Sequence, residues 1–80
     1  MMENQRELIE RVDWDYSLYK MDEAYELMTY LAEPEPGFDV LHLLTAEEIA
    51  GYLDKGMAAL EERLADMHAN FTNYEHRSWR

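Results

Sequence analysis

The chain has no cysteine, three glycines, two prolines, and seven Lys and Arg against eighteen Asp and Glu. Without cysteine there is no disulfide framework, no thiolate nucleophile and no zinc-thiolate site. The three glycines are scattered, so no Gly-rich loop can cradle a phosphate. The shortage of cations, a net charge of −11 with a pI near 4.4, argues against direct binding of nucleic acid or an anionic membrane, since both require clustered Lys and Arg. Unbroken apolar runs are only a few residues long, far short of the ~20 that a membrane span requires. The opening MMENQRELIERVDWD lacks a cationic start and an apolar core, so neither a secretory signal nor a transit peptide is expected, and the expected location is the cytoplasm.

What is present is enough for one folded domain over residues 1–80. Half of the residues are apolar, with six Tyr and two Trp, which sets the chain apart from disordered acidic tails. At this length folding buries only about 60% of the unfolded surface, so size alone favours a partner or self-association.

The charge is uneven. Residues 1–54 carry fourteen acids and three bases, residues 55–80 four of each, and from Met21 to Asp54 there are nine acids and no Lys or Arg. No local ion pair can neutralise that stretch. Its negative potential should reach outward by about a Debye length, ~8 Å at physiological ionic strength.

The pattern predicts an all-α fold. Glu33-Pro34-Glu35-Pro36-Gly37 breaks any helix at 34–37, leaving a helical arm at about 3–33, an apolar connector at 38–44, a long helix at about 46–70 and a tail at 71–80. Thr45-Ala46-Glu47-Glu48 reads as a capping box, with Leu44 and Ile49 placed as a hydrophobic staple. Ile49, Leu53, Leu60, Leu64, Met67 and Phe71 then fall on one arc of a helix about 37 Å long.

The N-terminal arm shows two opposed seams. One runs through Trp14, Leu18, Met21, Tyr25 and Met28. The other holds Ile9, Val12, Tyr16, Tyr19, Leu27 and Tyr30. Packing on one partner helix buries a single seam, so a kink or break near Asp13–Ser17 is favoured, with Asp13, Asp15 and Ser17 as available N-caps. The connector Phe38–Leu44 is read as a short helix capped by Asp39, or else as an extended segment closing the hairpin. The whole is a helical hairpin with a kinked or broken first arm. Dimerisation into a four-helix bundle is one way to complete its core.

On such an arm Asp15, Asp22, Glu26 and Glu33 form a stripe, with Glu35 and Asp39 following. Carboxylates four apart on a helix are separated by ~6 Å, near the spacing of phosphates along a nucleic-acid strand, so the row can imitate that backbone and enter a groove built from Lys and Arg. Trp14 and Tyr30 are the candidate aromatic anchors. The plainer alternative is a solvated polar face. Tyr16 and Tyr19, together with the small residues Gly51, Ala58 and Ala65 on the back of the second helix, are candidates for self-association. The aromatic and basic tail, Asn73–Arg80, is expected to be mobile.

The catalytic inventory is thin. His42, His68 and His76 fall in no paired metal motif, and Ser17 and Ser78 lack a readable triad. An enzyme is not expected, and no cofactor or metal is implied. The function expected is that of an acidic inhibitor or binding protein whose partner is a basic protein surface of the kind that holds nucleic acid. In size and charge this is comparable to phage-encoded inhibitors of host defence, anti-CRISPR proteins among them. The alternative is a structural or adaptor module docking another protein through its aromatic seams.

Overall fold

The computed structural model describes residues 7–13, 15–33 and 35–78. It is not an all-α hairpin. Its core element is one five-stranded antiparallel sheet with helical segments laid across a single face. β1 (Glu7–Val12), β2 (Tyr16–Met21), β3 (Ala24–Leu31) and β4 (Phe38–Leu43) form a meander. The chain then enters α1 (Ala46–Lys55), a 3-10 segment (Gly56–Leu60) and α2 (Glu61–Ala69), and returns as β5 (Glu75–Ser78) beside β4.

The helical arm predicted for 3–33 is therefore corrected, over the described residues from Glu7 to Leu31, to three strands joined by two reversals, residues 3–6 lying outside the described residues. The two opposed seams explain the error. A segment with apolar residues on both faces at period 2 also fills opposite sides of a helical wheel. In β3 the side chains of Tyr25, Leu27 and Thr29 point into the core, while Glu26, Met28 and Tyr30 alternate with them on the other face. Tyr, Thr and Leu suit a half-buried pleated surface. Where a kink was expected, Asp13 and Asp15 flank a reversal between β1 and β2. The Asp22–Glu23 pair closes the β2–β3 hairpin, with Asp22 at φ 55°, a backbone conformation that Asp tolerates better than most residues.

The break expected at 34–37 falls between β3 and β4 rather than between helices, with Pro34 outside the described residues. The connector, favoured as a helix capped by Asp39, is β4. Of the tail expected to be mobile, Glu75–Ser78 pair with it, Val40 opposite His76 and Phe38 opposite Ser78, and Trp79 and Arg80 lie outside the described residues. The ring of His76 packs edge-on against Phe38 and Phe71 at 5.6 and 5.4 Å, which holds β5 against the end of the helical layer.

The predicted helix over 46–70 is helical through Ala69 but not straight. Thr45 caps it as expected: its hydroxyl accepts from the Glu48 amide, and Glu48 accepts from the Thr45 amide. Leu44 and Ile49 both pack into the core. At Gly56, φ 75°, the axis bends, and the tighter 3-10 turn shifts the phase of the apolar arc. Leu60 and Met67 are wholly buried, whereas Leu53, on the same arc of a straight helix, is 67% exposed.

The core lies between sheet and helical layer. Leu18, Leu27 and Val40 from three neighbouring strands meet Leu60 and Met67 from above. A single chain thus closes its own core, and the four-helix bundle proposed to complete it has no place in this architecture.

Candidate functional site: the uncovered sheet face

Strand pairing places every second residue on the face away from the helices. Reading across the register, one row runs Arg11, Ser17, Met28, Leu41 and Glu75 over all five strands. A second runs Leu8, Tyr19, Glu26 and Leu43. A third joins Tyr30, Asp39 and Arg77, with Asp15 alongside, since the Tyr30 amide donates to the Asp15 carbonyl at 3.3 Å. The face is therefore apolar and aromatic at its centre, with carboxylates spread among the rings. Leu8 and Leu43 expose 44% and 58% of their surface.

A groove of about 590 Å³ opens on this face towards the β1–β2 reversal. It exists because Ser17 is short while its neighbours Tyr19, Met28 and Tyr30 are long. Asp13, Asp15 and Asp39 line it, as does Arg11, which is paired with Asp13 at 2.8 Å. Asp15 is anchored from inside the protein. Its amide donates to the Val12 carbonyl at 3.0 Å. Its carbonyl also accepts from the hydroxyl of buried Thr29 at 2.7 Å. That hydroxyl lies 2.8 Å from His68 Nε2; with its own proton given to Asp15, it accepts from the imidazole. The position of the groove's rim is thus tied to α2 through one polar relay.

The electrostatics of the two sheet ends differ. The β1–β2 reversal and the β3–β4 loop share one end and bring together Asp13, Asp15, Glu33 and Glu35. Asp22 lies in the β2–β3 turn at the other end. The single carboxylate stripe expected on a helix is therefore replaced by two groups. Asp15, Glu26 and Asp39 share the uncovered face, with Glu33 and Glu35 near one of its ends, and Asp22 stands apart. No unbroken row of carboxylates mimicking a phosphate backbone forms on these strands. Tyr30 sits on the same face, and Trp14 lies outside the described residues.

The candidates for self-association also separate. Tyr19 stands on the uncovered face, whereas Tyr16, three residues earlier on the same strand, packs against the core. Gly51 faces its own chain, because a Cβ there would meet the Ala59 Cβ at 3.2 Å. Ala58 and Ala65 are exposed on the helical layer.

A second convergence of polar groups went unread in the sequence. Glu48 Oε1 lies 2.9 Å from His42 Nε2 and Oε2 accepts from Arg63 Nε at 2.6 Å. Arg63 also donates to the Tyr74 hydroxyl at 3.1 Å, and that hydroxyl donates to Asp66. Burial pushes Glu48 up, but the Thr45 amide, His42 and Arg63 together outweigh it and hold the carboxyl at about 2. This cluster latches β4, both helices and Tyr74, the residue leading into β5, to one another. Glu48 accepts from three partners, so its lone pairs are committed to structure rather than to a ligand. The capping box marked Glu48 in the sequence, but nothing local pointed to Arg63 or Tyr74.

Among the described residues no cluster of three or more His, Asp or Glu has metal-binding geometry, and no helix is long and apolar enough to cross a membrane. No protein-family model, curated protein or solved structure matches the chain.

Proposed function

We propose that the chain is a non-enzymatic binding protein that docks its uncovered sheet face onto a basic protein surface, of the kind that otherwise holds nucleic acid. The observation that supports this reading is the one-sided sheet. Helices cover the middle of one face, where Leu18, Leu27 and Val40 are buried, while the other keeps Tyr19, Met28, Tyr30 and Leu43 near the surface among Asp15, Glu26 and Asp39. Aromatic and Met side chains are the material of interface centres. The surrounding carboxylates, within a chain of net charge −11, favour a cationic partner and fast, salt-sensitive association.

The test compares two triple variants of equal charge change. Asp15→Lys/Glu26→Lys/Asp39→Lys alters the uncovered face, and Asp54→Lys/Glu61→Lys/Glu62→Lys alters exposed positions on the helical layer. Partners captured from host extract by the wild type should be lost from the first variant, by about a hundredfold in affinity. The second variant should retain them, and capture should fall steeply with NaCl. Equal losses from both would reduce the effect to bulk charge and reject the docking face. Capture indifferent to salt but lost on Tyr19→Ala would transfer the role to an adaptor that docks by apolar burial.

A further inference from the structure

The groove above Ser17 has a shape and a chemistry more specific than the face around it. The short Ser17 forms its floor, and the longer Tyr19, Met28 and Tyr30 line it. Asp15 and Asp39 sit on the strands either side of Tyr30. Adjacent strands are ~4.8 Å apart, so the two backbones that carry these carboxylates are about 10 Å apart across the Tyr30 strand. Three carboxylates and one guanidinium line the groove, and that guanidinium, Arg11, is already paired with Asp13. Arg77, opposite Asp39 in the register, also lies 3.5 Å from Glu75. The lining is anionic on balance.

We propose that this groove is an anchor pocket for one arginine side chain of the partner, its guanidinium lying against the Tyr rings and donating to Asp15 and Asp39. A planar cation suits this site better than a compact ammonium. Its face is attracted to an aromatic ring, and its fork of N–H donors reaches two carboxylates at once. The aliphatic stem of the arginine would lie over Met28 and the short Ser17. The relay from His68 through Thr29 to Asp15 holds the rim in place before the ligand arrives, which lowers the entropy cost of binding. The inference rests on the docking role proposed for the same face, and it adds the chemical identity of the group received there.

The probe is N-acetyl-arginine methylamide, titrated into the 15N-labelled full chain at low salt, with N-acetyl-norleucine methylamide as the uncharged control. Saturable shifts should appear at Ser17, Met28 and Tyr30, with at least a tenfold weaker response to norleucine. Ser17→Leu fills the trough without changing the net charge and should weaken arginine binding about tenfold, equivalent to about 1.4 kcal/mol. Should that variant melt early, Asp15→Asn/Asp39→Asn supplies the same test, against Asp54→Asn/Glu61→Gln as the charge-matched control. Shifts spread over the whole acidic surface would overturn the pocket, and so would equal binding of norleucine or an arginine response indifferent to both groove variants. If the groove fails while salt-sensitive capture of the partner persists, the docking face survives without its anchor. If arginine binds the groove but the face triple still captures the partner, the docking role falls and the pocket remains.

Discussion

The two faces of the sheet are made by alternate residues of the same strands, yet they obey different constraints. Under the helices, Leu18, Leu27 and Val40 are completely buried, and Thr29, the one fully buried polar residue among those described, spends its hydroxyl on Asp15 and His68. On the other face Leu8 and Leu43 stay about half exposed although Leu41 is buried, and Glu26, Met28 and Tyr30 interleave charge with apolar surface. Burial dictates the first face, because a vacancy there leaves a cavity that neighbouring side chains fill only in part. The second face is free of that constraint at Leu8 and Leu43, and under the docking role proposed for it its composition answers to a partner.

The sharpest way to break that comparison is to truncate matched leucines. Leu27→Ala should cost about 3 kcal/mol and Leu43→Ala about 0.5 kcal/mol or less in urea unfolding. Comparable losses would mean that both faces are structural and would undermine the docking face.

The next largest effect concerns the latch at Glu48. Its folded value of about 2 lies below the ordinary 4.5, so its stabilisation is complete above pH 4.5 and is lost as pH falls from 4.5 towards 2. The loss is at most about 3 kcal/mol by linkage. Unfolding free energies measured between pH 2.5 and 6 should decline more shallowly in Glu48→Gln than in the wild type. Identical slopes would place the acid sensitivity elsewhere.

The smallest effect is at the far end of the sheet. Asp22→Gly relieves a positive φ and should raise stability by about 0.5 kcal/mol. Partner capture should be unchanged, since Asp22 stands in the turn remote from the groove. Weakened capture would extend the docking surface over both ends of the sheet.

Much of the C-terminal half was legible because its signals are local. Thr45 and Glu48 satisfy each other within one helical turn, and Pro36 and Gly37 stop regular structure where they stand. The N-terminal half was misread because its signals are shared between strands. Tyr19 and Tyr30 fall on one apolar side of a helical wheel with Tyr16 and Leu27, and only pairing with β3 and β4 reveals that they face away from the core. The candidate site was half legible. Asp15, Glu26, Asp39 and Tyr30 were singled out on charge and aromaticity and do share a face, whereas Asp22 and Tyr16 went elsewhere. Ser17, whose small size makes the groove, was read only as a helix cap, because a trough is defined by what stands around it.

Taken alone, the sequence determined the sign and unevenness of the charge, the break before Phe38 and the capped start of α1, because each depends on residues within a few positions of one another. The tertiary structure alone decided that Glu7–Val12, Tyr16–Met21 and Ala24–Leu31 are strands, that helices lie on one face and not on the other, and that Glu48, Arg63 and Tyr74 meet. Cross-strand pairing and sheet–helix packing join residues far apart in the chain, and a period-2 pattern that is apolar on both sides acquires a unique meaning only when its neighbours are in place.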